Sequence, residues 1–369
     1  MKYGFRIGAF YYFSRVHHID SRAELGDNAQ VEIIAEALGL PFEIRRVLPK
    51  PQFVLGKPGF RPSLDHLDLE RSDELEAPWP DFIITIGRRP SMAALWIQEQ
   101  SGGRSRIILL GRPKKWINRF ALVIVPAQYR VPQRDNVLQL NLPLMRPNEA
   151  AIASAAAHWK ARFDALPRPI TALFVGGQTK PFRFDADAAA DLIETAARMR
   201  GQSGGTLYIS TSRRTPPQVI ETLRRKRDEN TILYCWDAGS SAENPYLALL
   251  ALADRFIVTG DSVSMLVEVA RRGKPLAIFA LPHQRDLATR LRRTLTVETA
   301  QPAWIRRLLG NLSRSGIAGY SRDLTAIHDF LYRQGLAVPL GTPFLATGRK
   351  PPDELECVVN RLRQVIAEP

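Results

Sequence analysis

The stretch 254–282, DRFIVTGDSVSMLVEVARRGKPLAIFALP, carries the side chains best placed to do chemistry. An apolar run ends at Thr259, Gly260 turns the chain, and Asp261, Ser262, Val263 and Ser264 open a helix. The first turn of a helix has backbone N–H groups without intrahelical acceptors and sits at the positive end of the dipole, and together these hold phosphate. Gly260 would let backbone and ligand approach closely. Ser262 and Ser264 can cap the helix or donate to phosphate oxygens, with Met265 on the same turn. Glu268 follows about one turn after Ser264, so its carboxylate can face the same side and accept from two ribose hydroxyls. Ordinary capping beside a solvated glutamate fits the same residues.

Three more loops share this character. Gly176-Gly177-Gln178-Thr179-Lys180 follows one apolar run, and Thr211-Ser212-Arg213-Arg214 follows the next. Two guanidiniums suit a diphosphate, because each offers bidentate donors. Trp236-Asp237 ends a third run, where it can hydrogen-bond a base or simply make a turn. Taken singly, each loop also reads as a plain turn with surface cations. Their arrival at successive strand ends of one sheet favours a phosphorylated ligand. In the N-terminal half, Gly26, Asp27, Asn28 and Gln30 open one helix, and Gly87, Arg88 and Arg89 open another; both are expected to face a cleft between domains. No GxGxxG stands at a strand–helix turn, and GxxxxGK[ST], GxSxG and HExxH are missing, which removes support for dehydrogenase, P-loop, triad-hydrolase and zinc-protease chemistry. Cys235 and Cys357 are the only cysteines, too few for a disulfide framework or a zinc cluster. The six histidines, His328 among them, are scattered and read as structural or exposed.

These loops must be held by a sheet. Residues 29–38 put Val31, Ile34, Ala35 and Leu38 on one helical face, with Gly39 as the stop. Apolar runs at 81–86, 105–110, 121–125 and 136–140 alternate with a helical pattern at 91–98. Residues 149–166 are strong helix formers, and Pro167 and Pro169 then punctuate the chain. The second half repeats the alternation: strands at 170–175, 206–210, 231–236, 255–259 and 275–279, helices at 185–200, 215–227, 245–253 and 262–272, with Asp185 as an N-cap. Short apolar strands alternating with helices predict parallel sheets covered on both faces. The expected fold class is α/β, with two Rossmann-like domains at 1–166 and 167–336. A Pro/Gly-rich linker and a final amphipathic helix at 353–367 complete it, as a 337–369 segment.

The chain has 369 residues, with 51 Lys and Arg against 37 Asp and Glu, a formal net charge of +14. Apolar residues make up 45% and charged residues 24%, which excludes disorder as the main state. Both halves are basic, and local clusters stand at 111–120 beside Trp116 and at 283–322, where eight Arg face two acids. Such charge points to an anionic partner. An anionic membrane surface suits basic residues beside aromatics. Without a helix-turn-helix, zinc-finger or RNP signature, no specific nucleic acid is expected. No apolar run approaches the ~20 residues of a spanning helix, and the N-terminus lacks a signal-peptide pattern. The expected location is the cytoplasm, with a peripheral place on the inner membrane as the variant.

The runs GDNAQVEIIAEALGLPFEIRRV, PDFIITIGRRPSMAAL, LFVGGQTKPFRF, YISTSRRTPP and NPYLALLALADRFIVTGDSVSMLVEVARRGKPLAIF resemble the mitochondrial-fission ELM family, over most of residues 25–282. The 254–282 stretch is also similar, more distantly, to the nucleotide-sugar site of the peptidoglycan-precursor N-acetylglucosaminyltransferase. That resemblance implies a GT-B architecture, two Rossmann-like domains facing across a cleft with the C-terminal helix crossing back. It also implies that Gly260, Ser262, Ser264 and Glu268 bind diphosphate and ribose. Family members carry a Thr-Asp-Gly-Lys-x-Gly-His-like loop near the N-terminus; here Gly26, Asn28 and Gln30 keep the pattern and Asp27 stands at the His position. Asp27 is the candidate acceptor base. The implied function is metal-independent glycosyl transfer from a nucleotide-diphosphate sugar, with that sugar as substrate, no cofactor, and a cell-envelope acceptor. An epimerase on the same scaffold and a non-catalytic membrane-associated adaptor are the alternatives.

Overall fold

The computed structural model describes residues 7–12, 27–56, 58–237, 243–284, 322–346 and 348–368. Two compact units make up the chain: Met1–Met145 with Ala300–Asp323 and Asp353–Pro369, and Arg146–Thr299 with Leu324–Pro352.

The first unit is built on six parallel strands, β1 (Ile7–Tyr12), β2 (Phe42–Val47), β3 (Phe82–Ile86), β4 (Arg106–Leu110), β5 (Phe120–Pro126) and β6 (Val137–Leu140), in the order β2-β1-β3-β4-β5-β6. Side-chain alternation sorts each strand between two cores. Phe82, Ile84 and Ile86 pack with Val31, Ile34 and Leu38 of α1 (Asp27–Leu38). Ile83 packs the other way, with Met92 and Leu95 of α3 (Arg88–Gln100). A short helix, α2 (Pro51–Leu55), sits between β2 and β3.

The last helix of the chain, α10 (Leu355–Ala367), belongs to this unit. Its buried stripe, Leu355, Val358, Val359, Leu362, Val365 and Ile366, joins the α1 core at helical spacing. Glu354, at its N-cap position, accepts from the backbone N–H of Asn141 at 3.0 Å and of Leu142 at 3.2 Å, just beyond β6. The expectation of a C-terminal helix crossing back is met by this docking.

The second unit also has six parallel strands, β7 (Ile170–Val175), β8 (Thr206–Thr211), β9 (Thr231–Tyr234), β10 (Arg255–Thr259), β11 (Leu276–Phe279) and β12 (Val338–Pro339), in the order β12-β11-β10-β7-β8-β9. The helices are α4 (Glu149–Asp164), α5 (Ala186–Ser203), α6 (Pro217–Lys226), α7 (Tyr246–Leu252), α8 (Val263–Arg272) and α9 (Thr325–Arg333). The chain starts in the middle at β7, runs outward to β9, then returns to β10 and builds the other way. That reversal places a topological switch point between the C-terminal ends of β7 and β10, where open α/β sheets bind ligands.

Two sequence expectations are corrected. The division between units falls at Met145/Arg146, not after residue 166, because α4 packs on the second unit: Phe163 stacks on Tyr208 of β8 with ring centroids 5.5 Å apart. The second sheet has six strands rather than about five, since Val338–Pro339 in the expected linker pairs with β11. Strands β1 and β2 and helices α2 and α9 were not legible. Among the described residues, no helix is long and apolar enough to cross a membrane.

Leu362 is fully buried between α10 and the sheet. Truncation to alanine leaves a cavity, so Leu362→Ala is expected to lower unfolding free energy by about 2–5 kcal/mol, read as a fall in the urea midpoint with the slope unchanged.

Candidate functional site

The switch point of the second sheet is closed by a ring of hydrogen bonds between two loops. After β7, the N–H of Gly176 donates to Thr259 Oγ1 at 2.8 Å, and the N–H of Gly177 donates to Asp261 Oδ2 at 2.7 Å. The Thr259 hydroxyl in turn donates to Asp261 Oδ1 at 2.7 Å. Asp261 is only 2% exposed. Burial pushes its pKa up, against the pull of the Gly177 N–H, the Thr259 hydroxyl and the Arg214 charge. The approach is tight enough to require glycine. A methyl group on Gly176 would lie 2.4 Å from an Asp261 oxygen, and one on Gly177 would lie 2.4 Å from the Arg214 carbonyl oxygen. Asp261, offered by the sequence to a diphosphate, is instead an internal acceptor that joins two loops.

Helix α8 starts directly after this ring. Ser262 occupies its N-cap position, yet the hydroxyl caps nothing and the residue is 2% exposed. Its N–H donates to the Thr259 carbonyl at 3.3 Å, and its carbonyl accepts from Leu266 at 3.1 Å. Among the described residues, nothing accepts from the N–H groups of Val263, Ser264 and Met265. Ser264 is exposed and Met265 half-buried. An α-helix start with free N–H groups at a switch point is suited to an anion.

Glu268, further along α8, is half-buried and accepts from the Tyr246 hydroxyl at 2.6 Å. Tyr246 begins α7 and packs against Phe174 of β7, with centroids 4.6 Å apart. Burial holds Glu268 above the usual carboxylate range, and the tyrosine hydroxyl opposes that shift. One carboxylate oxygen is therefore already engaged, so the alternative of a solvated glutamate does not hold, and one oxygen is left for the expected ribose hydroxyls.

The loop after β8 is held by Thr215, whose hydroxyl donates toward the carbonyls of Gly176 at 2.7 Å and Val175 at 3.1 Å and accepts from the Ser212 N–H at 2.9 Å. Ser212 Oγ accepts from the Arg214 N–H at 3.3 Å, and buried Thr211 Oγ1 accepts from the Trp236 N–H at 2.9 Å. The hydroxyls of Thr211 and Ser212 thus brace the loops after β8 and β9. Arg213, Arg214, Lys180 and Asp237 are exposed on the same rim. Arg214 Nη1 reaches Thr179 Oγ1 at 3.5 Å. Among the described residues, Lys180 and Arg213 have no ion-pair or hydrogen-bond partner.

In the first unit, Gly87 takes φ +83°, a left-handed value that favours glycine, and opens α3. The Arg88 guanidinium donates twice to the Pro58 carbonyl, at 2.6 and 3.1 Å, and lies over the Phe60 ring. Arg89 donates to the carbonyls of Phe53 and Gly56 at the end of α2. Both side chains, expected on the acceptor side, donate to backbone carbonyls. Asp27, Asn28 and Gln30 lie in the first turn of α1, following β1. Gly26 and nearly all of the basic 283–322 cluster lie outside the described residues. Among the described residues, no group of three His, Cys, Asp or Glu side chains is placed to hold a metal ion.

Thr259, Thr215 and Tyr246 hydrogen-bond within this arrangement and were not singled out from sequence as site residues. Thr259 and Thr215 flank the recognised loops, so adjacency was an available signal.

Two doubly wound parallel sheets in one chain, the last helix returned to the first of them, define a GT-B-like α/β protein. The chain belongs to the mitochondrial fission ELM1 family, whose model matches residues 25–314. It is 27% identical over 230 residues to the mitochondrial fission protein ELM1 of Arabidopsis thaliana, a match covering 56% of this chain and 53% of that one. The chain thus spans about half the length of that relative. An uncharacterized protein of Rickettsia prowazekii is 26% identical over 239 residues, covering 56% of this chain and 67% of that protein. Among solved structures, the chain is similar to UDP-GlcNAc 2-epimerase from Neisseria meningitidis bound to UDP-GlcNAc, with a TM-score of 0.43, 11% identity, and coverage of 97% and 100% of the two chains.

Gly176→Ala drives a methyl into the Asp261 carboxylate and is expected to cost about 1–3 kcal/mol in chemical denaturation. Glu268 carries the pH signature. Its folded pKa lies above the unfolded one, so the folded state binds more protons between them, and stability falls as pH rises through that window. Glu268→Gln keeps an acceptor for Tyr246 and removes the titration. Its melting temperature relative to the parent protein is expected to rise across the same window and stay level below the usual carboxylate range.

Proposed function

We propose that the rim of the second sheet binds the diphosphate of a nucleotide-diphosphate sugar and that the protein transfers the glycosyl group to an acceptor in the cell envelope. The observation that carries this reading is the uncapped start of α8, with the N–H groups of Val263, Ser264 and Met265 without acceptors, at the switch point between β7 and β10.

The chemistry follows from the residues in place. Phosphate oxygens accept from those three N–H groups and from the exposed Ser264 hydroxyl. Lys180 and Arg213 neutralise the charge that grows on the leaving diphosphate, so no metal or other cofactor is needed. Glu268, oriented by Tyr246, takes one ribose hydroxyl on its remaining oxygen. Trp236 and Asp237, at the end of β9, lie on the base side. An epimerase would use the same diphosphate contacts with a different proton-transfer partner. The net charge of +14 supports a peripheral place on an anionic membrane surface.

The family name favours one other reading, an adaptor without catalysis. A thermal-shift panel of the full chain with UDP, GDP, CDP and their sugars separates the two. A bound nucleotide at about 100 times its dissociation constant adds about 2.7 kcal/mol of stability. The double variant Lys180→Ala/Arg213→Ala is expected to weaken that binding by roughly tenfold or more, since each removes a charge-assisted contact. If no nucleotide shifts the transition while anionic liposomes sediment the protein, the adaptor reading replaces the enzyme.

A further inference from the structure

His328 lies in α9, far in sequence from every recognised loop, and is 4% exposed. Its Nε2 stands 2.7 Å from the carbonyl oxygen of Gly260. A carbonyl oxygen only accepts, so Nε2 carries the proton and donates. The ring also fills the space beside Gly260: a methyl group there would fall 2.5 Å from Cε1 and 2.8 Å from Nε2. The close approach anticipated at Gly260 is therefore made by an imidazole of the same chain.

The Gly260 carbonyl and the Asp261 N–H belong to one peptide plane. His328 holds the oxygen end, and the Asp261 N–H interacts with the Asp261 carboxylate. The Gly260 N–H donates to the Phe279 carbonyl of β11 at 2.9 Å. With both sides of Gly260 fixed, the direction in which the chain enters α8 is fixed as well. The free N–H groups of Val263, Ser264 and Met265 come directly after it.

We propose that His328 is a positioning residue of the α8 anion site: by donating to the Gly260 carbonyl it aims the first-turn N–H groups of α8 at a diphosphate. The ligand part of this statement rests on the reading under Proposed function. The positioning part does not.

The test compares His328→Leu, which keeps bulk and removes the donor, with His328→Gln, whose amide N–H can reach the same carbonyl. Backbone amide exchange is measured on the ligand-free full chain at Gly260, Ser262 and Leu266, whose N–H groups are bonded around the turn, and at Ile257 and Val258 within β10. In His328→Leu the three turn amides are expected to exchange roughly tenfold faster, the scale of one neutral hydrogen bond, while the β10 amides keep their rates. His328→Gln is expected to restore the turn. Gly260→Ala, which displaces the ring from the other side, is expected to reproduce the leucine pattern and gives the answer if His328→Leu does not fold. Unchanged turn amides, or equal acceleration at β10, would overturn the positioning role. UDP affinity is then measured on the same variants. A roughly tenfold loss in His328→Leu with recovery in His328→Gln supports the aimed site, and unchanged affinity overturns it. If the parent protein binds no nucleoside diphosphate, the ligand reading falls while the exchange rates still decide what His328 does.

Discussion

The Asp261 carboxylate takes the Gly177 N–H on one oxygen and the Thr259 hydroxyl on the other, each at 2.7 Å, in a place closed to water. Burying an ionised carboxylate costs several kcal/mol, and it persists only where hydrogen bonds or charge compensate. Here the compensation comes from both sides of the switch point. The loop after β7 supplies a backbone donor, and the end of β10 supplies a hydroxyl. Arg214 contributes its charge from the loop after β8. Neither loop can move away without leaving the carboxylate short of a partner. The rigidity of the rim is therefore electrostatic in origin, although the sheet beneath it is apolar.

This constraint propagates outward through steric demand. Two loops tied at hydrogen-bond distance leave no room for a β-carbon, so Gly176 and Gly177 are fixed by contact with Asp261 and Arg214, not by a ligand. Once the ring is closed, Ser262 is drawn under the turn and its hydroxyl caps nothing. The helix start is left uncapped as a consequence. Capping and anion binding compete for the same N–H groups. An α8 that satisfied its own first turn would have nothing to offer a phosphate. Tyr246 acts on Glu268 in a comparable way, taking one oxygen and leaving the other.

The alternation of apolar runs and helices was legible from β3 to β11, because parallel strands buried on both faces read as unbroken apolar stretches such as ITALFV and FIITI. Asp185 was legible as an N-cap, and it accepts from the Ala188 N–H at 3.2 Å. What could not be read has physical reasons. β12 is two residues long and contains Pro339, so no periodicity announces it. α4 packs on α7, and its Phe163 stacks on Tyr208, contacts between residues far apart in the chain. At the site, residue type identified the loops but not the direction of their side chains. Arg88 and Arg213 look equivalent in sequence; one donates to the Pro58 carbonyl and the other faces solvent. His328 was invisible because its partner is a carbonyl, which every residue has.

The basic composition has to be weighed in the same way. Several cations here are spent on backbone carbonyls. Arg89 serves the end of α2. Lys274 donates to the carbonyls of Ala251 and Ala253 at the end of α7, at 2.5 and 2.6 Å, and burial pushes its pKa down to about 8. Positive charge at helix C-termini complements the dipole and stabilises the fold without marking a binding face. Net charge thus overstates the positive surface on offer to a polyanion. Lys180 and Arg213 differ from these cations, because both are exposed and neither is spent on backbone. In the reading proposed above, these two cations, from the loops after β7 and β8, and the first-turn N–H groups of α8 serve one diphosphate.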